Sequence, residues 1–123
     1  MVDGEAYFVT SFSLQGPYGV VITEQVDALD ISLPGQKLSA HPLFPLGADI
    51  VFVEIERKDL LKARIYARHE GEIGFSEPGA CAAFIAARIL QKTLESEAVV
   101  AMDGKTCRVK WEGADGDVRL TIM

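Results

Sequence analysis

The chain is poor in the residues that build disulfide or metal frameworks: its 123 residues include two cysteines, Cys81 and Cys107, and two histidines, His41 and His69. The cysteines stand in unrelated contexts, and no carboxylate or cysteine lies at ligand spacing from either histidine, so neither a disulfide scaffold nor a zinc site is expected. Positive charge is scarce too. Twelve Lys and Arg face eighteen Asp and Glu, a formal net charge of −6 that excludes the basic stripe needed for phosphate neutralisation, so no nucleic-acid partner is expected. Long hydrophobic runs are missing: the longest, Ala80 to Ala87, is too short to span a bilayer, and Met1-Val2-Asp3-Gly4-Glu5 lacks the basic and apolar regions of a secretory leader. A cytoplasmic protein with no membrane contact is expected. No glycine-rich phosphate loop, repeat, low-complexity tract or linker appears, and no metal, nucleotide, flavin or other cofactor is called for.

What is present suits one folded domain over residues 1–123: 49% of the residues are hydrophobic and 24% charged, and the length leaves room for one sizeable core but not for two stacked domains. Ala6 to Ser13 and Gly19 to Thr23 read as strands separated by a break at Gly16-Pro17. Asp27 to Asp30 reads as one turn, and Pro34, Gly35, Pro42 and Pro45 predict an irregular loop, the longest in the chain. Ile50 to Arg57 and Leu61 to His69 read as strands joined at Lys58-Asp59. Ala98 to Met102, Thr106 to Trp111 and Asp117 to Ile122 form a predicted meander with turns at Asp103-Gly104 and Asp115-Gly116. Between these groups one helix is predicted from Glu77 toward Leu94, apolar on almost every face of its first three turns, which requires strands to enclose it.

Arg68-His69-Glu70-Gly71-Glu72-Ile73-Gly74-Phe75-Ser76-Glu77-Pro78-Gly79-Ala80-Cys81-Ala82-Ala83 matches, without a gap, a segment of the form Arg-Gly-x-Gly-Glu-Thr-x-Ala-Cys-Gly-[Ser/Thr]-Gly-Ala-Cys-Ala-Ala. Upstream, His41-Pro42-Leu43-Phe44-Pro45, the strand Ile50-Val51-Phe52-Val53-Glu54 and Ser13-Leu14-Gln15-Gly16-Pro17-Tyr18-Gly19-Val20 occur in the matching order. These pieces resemble the second domain of the diaminopimelate epimerase-like family. The resemblance implies an α+β fold in which a curved, mostly antiparallel, barrel-like sheet wraps one central buried helix. In the family two such domains enclose a substrate, with a cysteine from each acting as acid or base at the α-carbon. A lone domain is therefore expected to form a homodimer that mimics the pair.

The chemical positions depart from the family's pattern. The family's cysteine falls on Ser76, a poor base compared with a thiol, and its catalytic Glu falls on Ala67. The Asn and His of the family's Asn-Pro-His turn fall on Gly16 and Tyr18, and the Asn of a strand falls on Asp49. Where the family offers Gly-[Ser/Thr]-Gly amides to a carboxylate, this chain has Glu77-Pro78-Gly79, followed by Ala80. Ser76 reads first as a helix cap and second as the one catalytic candidate. Cys81 and Cys107 read as core residues. Arg68 and Glu72 either line a pocket at the helix start or face solvent, and Tyr18 either closes that pocket or packs on the barrel. Arg88 is expected where the barrel opens or at a subunit contact.

Three functions follow as expectations. The first is a degenerate domain that binds a small molecule or protein partner, with Ser76, Glu77, Gly79, Ala80, Arg68, Glu72 and Tyr18 as the ligand-binding set. The second is an isomerase or lyase for a small amino or hydroxy acid at a homodimer interface. The third is a subunit that completes an active site with a separate chain resembling the first domain.

Overall fold

Along Leu60–Ala67 each residue that is buried is followed by one that is half-buried, the period of a strand with one face on a core. This strand is the hub of the architecture. The computed structural model describes residues 9–13, 17–42, 47–68, 70–111 and 119–122. In chain order the elements are β1 (Val9–Ser13), β2 (Pro17–Ile22), a 3-10 turn (Val26–Ala28), α1 (Ser32–Ser39), β3 (Asp49–Arg57), β4 (Leu60–Ala67), β5 (Gly71–Ile73), α2 (Glu77–Ile89), β6 (Glu97–Met102), β7 (Lys105–Lys110) and β8 (Arg119–Ile122). The predicted break at Gly16, the turn at Asp115-Gly116, and His69 lie outside the described residues.

The strands form one sheet in the order β1-β2-β3-β4-β6-β7-β8, with β5 pairing β4 alongside. Pairings β2–β3 and β4–β6 are parallel and the other five antiparallel, so the sheet is mixed and mostly antiparallel, as expected, and among the described strands it stays open between β1 and β8. It curls about α2, which touches β2, β3, β4, β6 and β7. Ala80, Ala82, Ala83, Ala86 and Ala87 are buried there against Val20, Val51, Val53, Leu61, Ile65 and Val100. Alanines let a helix axis lie close to a sheet, and Phe84 fills the remaining space.

The other face of β2–β4 is also covered. Val21, Ile50 and Phe52, which alternate with the inner residues, pack with Val26, Ile31 and Leu38 of the 3-10 turn and α1. This corrects the expectation of an irregular loop after Asp30: Ser32–Ser39 is helical. Pro34 falls in the first turn, where its missing N–H has no partner to lose. Gly35 is needed for contact, since a Cβ there would stand 2.6 Å from the Tyr66 Cβ.

The central helix also ends earlier than Leu94. Gln91 takes a left-handed conformation, φ 59, its N–H bonding the Arg88 carbonyl while the Lys92 N–H reaches back to the Ala87 carbonyl at 2.8 Å. These two bonds make a Schellman stop after Ile89. Just beyond, Arg88 donates to the Glu95 and Trp111 carbonyls at 2.9 and 2.7 Å and lies over the rings of Phe84 and Trp111. It ties the end of α2 to the segments just before β6 and just after β7. No helix of the described residues is long and apolar enough to cross a membrane.

Candidate functional site

Strand β5 hands the chain to α2 through Gly74, Phe75 and Ser76. Ser76 has extended backbone (φ −138, ψ 118) and is the N-cap: its Oγ accepts from the Gly79 N–H at 3.1 Å. Its own N–H donates to the Met102 Sδ at 3.3 Å, and its carbonyl accepts the Ala80 N–H at 2.9 Å. Pro78 has no N–H. Of the amides at this helix start, only that of Glu77 has no acceptor among the described residues. The exposed Glu77 carboxylate already lies in the first turn, where negative charge suits the helix dipole.

Several of the sequence candidates meet here. Tyr18 is 5% exposed and packs in the inner core. Burial and then the charge of Asp49 push its phenol above the ordinary value, while a hydrogen bond with Ser76 and the charge of Arg68 oppose that shift. The phenol is therefore protonated at neutral pH and is no base. Asp49 accepts the Arg68 backbone N–H at 3.0 Å, and the Arg68 guanidinium donates to the Gly47 carbonyl at 3.1 Å. Ala67, where the resemblance would place a catalytic carboxylate, is buried and carries no functional group.

Cys81 is half-buried one turn into α2 and Cys107 is buried on β7. Burial pushes each thiol up to about 11, helped at Cys81 by the charges of Cys107 and Glu77 and at Cys107 by that of Glu77. Both are thiols, not thiolates, at neutral pH, as befits small core residues. No three His, Cys, Asp or Glu side chains gather as a metal site among the described residues.

Glu72 goes elsewhere. It takes a two-pronged ion pair from Arg64, Nε to Oε2 at 2.8 Å and Nη2 to Oε1 at 2.7 Å, on the sheet face away from α2. Sequence reasoning did not single out Arg64. Its signal was the period-two placement of Lys62 and Arg64 between the buried Leu61, Ala63 and Ile65, but nothing local announced the partner. That ion pair borders a cleft of about 340 Å³, lined by Asp27, Lys62, Ala63, Asp103 and neighbours rather than by Ser76 or Tyr18. Leu43, Phe44 and Pro45 of the upstream motif lie outside the described residues.

No protein-family model matches the chain. It is similar to the diaminopimelate epimerase of Cyanothece sp., 32% identical over 120 residues covering 98% of this chain and 42% of that enzyme. The diaminopimelate epimerase of Phocaeicola vulgatus is 33% identical over 119 residues, 97% of this chain and 42% of the relative. Among solved structures, the fold is similar to a phenazine biosynthesis protein of the PhzF family from Enterococcus faecalis, with TM-score 0.60, 16% identity, and coverage of 86% of this chain and 39% of that one. The Bacillus anthracis phenazine biosynthesis protein of the PhzF family gives TM-score 0.62 and 14% identity over 94% of this chain and 38% of the other. The chain spans about two-fifths of the length of the epimerases that it matches. With that identity along nearly its whole length, the chain is a partial-domain match to diaminopimelate epimerases, and its fold is that of the PhzF-family structures.

Proposed function

We propose that this chain is a cytoplasmic domain, corresponding to the second half of a diaminopimelate epimerase, that has lost cysteine-based racemase chemistry and works by binding a small molecule or a protein partner. The observation that carries this reading is the start of α2. A substrate carboxylate docks at a helix N-terminus through several free amides, whereas here Ser76 Oγ, Met102 Sδ and Pro78 remove all but the Glu77 amide. The Glu77 carboxylate adds repulsion. The hydroxyl at position 76 is also too weak an acid to ionise at neutral pH, and the neutral hydroxyl is too weak a base to abstract an α-proton unaided.

The test is exchange of the α-proton in D2O, followed by NMR, with diaminopimelate and a panel of free amino acids. The expected result is no exchange above buffer, and none after Ser76→Cys, because Ala67, Glu77 and Pro78 remain. Exchange in the unaltered protein that disappears in Ser76→Ala would overturn the proposal. It would favour the second reading, an isomerase or lyase at a homodimer interface, for which the grouping of Tyr18, Asp49 and Arg68 around Ser76 speaks. The domain is proposed to pair with a second copy. Light scattering after size exclusion checks this, and a monomer at high concentration would instead favour a separate first-domain chain as partner.

A further inference from the structure

Strand β4 has two successive neighbours on one side. It pairs β6 through Leu60↔Val99 to Lys62↔Ala101, and β5 from Ile65↔Ile73 to Ala67↔Gly71. Between them, Ala63 and Arg64 have no strand partner on that side. The Thr23 N–H bonds the Val53 carbonyl, so Val53 turns its polar groups toward β2, and its antiparallel mate Ala63 turns its own away from β3, into the gap. The Val99 N–H on the Asp59 carbonyl and the Glu70 N–H on that of Ala67 show the same orientation for odd-numbered residues on either side. The last slanted rung, at Lys62↔Ala101, engages the Ala63 N–H and stops short of its carbonyl. A backbone acceptor on a residue 3% exposed is thus left off the ladder, facing the cleft of about 340 Å³.

The side chains around it also accept more than they donate. Arg64 has its Nε and Nη2 on Glu72 and its Nη1 on the Val26 and Leu29 carbonyls. Lys62 is shared by Asp27 at 3.3 Å and Glu56 at 3.7 Å. Asp103 is held over Gly74, where a Cβ would stand 2.5 Å from its Oδ2. It lines the cleft with no ion pair or hydrogen bond to another described residue. We infer that this cleft, where β5 and β6 part from β4, is a binding site for a small organic cation bearing a primary ammonium. The ammonium would donate to the Ala63 carbonyl and the Asp103 carboxylate, and its alkyl stem would lie along the half-buried Ile73. The protein's net charge of −6 favours the approach of a cation.

The test is an NMR titration of amide signals of the full chain with n-butylammonium at constant ionic strength, with 1-butanol as the neutral control. Saturating shifts at Arg64, Gly74, Asp103 and Gly104 are expected with the amine and not with the alcohol. Asp103→Asn, which keeps a residue suited to φ 54, should weaken binding about tenfold. Shifts that do not saturate, or that spread equally to the acidic surface around Asp59, Glu95 and Glu97, would mean general counter-ion attraction and overturn the inference. So would Asp103→Asn binding undiminished, or the alcohol binding as well as the amine.

Discussion

Replacing Ser76 by alanine removes one oxygen from the start of α2, and its cost distinguishes a cap from a catalyst. In the folded protein that oxygen accepts the Gly79 N–H at 3.1 Å, while the backbone N–H of residue 76 is held independently by the Met102 sulfur. Losing an N-cap acceptor costs about 1 kcal/mol, within a range of roughly 0.5–2. For a domain of this size that lowers the melting temperature by about 4 °C. Threonine supplies the same oxygen and accepts the extended backbone at φ −138, so Ser76→Thr should stay within about 0.5 kcal/mol of the parent. Urea titration of the three proteins by circular dichroism is the assay. An alanine variant as stable as the parent, or a threonine variant as unstable as alanine, would refute the capping role and reopen Ser76 as a residue kept for chemistry.

Two further outcomes follow from the helix end and the thiols. Gln91→Gly should stabilise the protein by about 0.5–1 kcal/mol, because the left-handed conformation at φ 59 strains a side chain, and glycine returns only part of that gain through its freer unfolded chain. A urea midpoint that falls would show that the Gln91 side chain makes a compensating contact. Since burial raises both thiols to about 11 in the folded state, their contribution to stability is complete below the unfolded thiol range and is lost as pH climbs toward about 11, where the folded thiols ionise in turn. Urea midpoints should therefore drop between about pH 8 and 10.5, and drop less in a Cys81→Ala, Cys107→Ala double variant. An equal drop in both proteins would show that other groups set the alkaline limit.

The inner layer was legible because its signals are local. Alternation marks Leu60–Ala67 whatever it pairs with, and a run as apolar as Ala80 to Ala87 has no stable place except inside. Helix α1 was not legible, since Pro34 and Gly35 break a helix interior but are harmless in a first turn, and the need for Gly35 arises from Tyr66, thirty-one positions away in the chain. The start of α2 was readable in outline, because Ser-Glu-Pro is a capping sequence on its own terms. That the amide of residue 76 is also taken up depended on Met102, a residue from β6 that reaches it. Glu72 shows the opposite case. Its place in the motif left open a pocket at the helix start or the solvent, and the register Tyr66↔Glu72 turns it to the outer face, where Arg64 holds it. The cleft beside that pair is still further from the sequence, for it exists only because two strands distant in the chain meet the same stretch of β4 and neither reaches the Ala63 carbonyl. A site made by where ladders stop leaves no motif, and the positions matched to the family lead only to the start of α2.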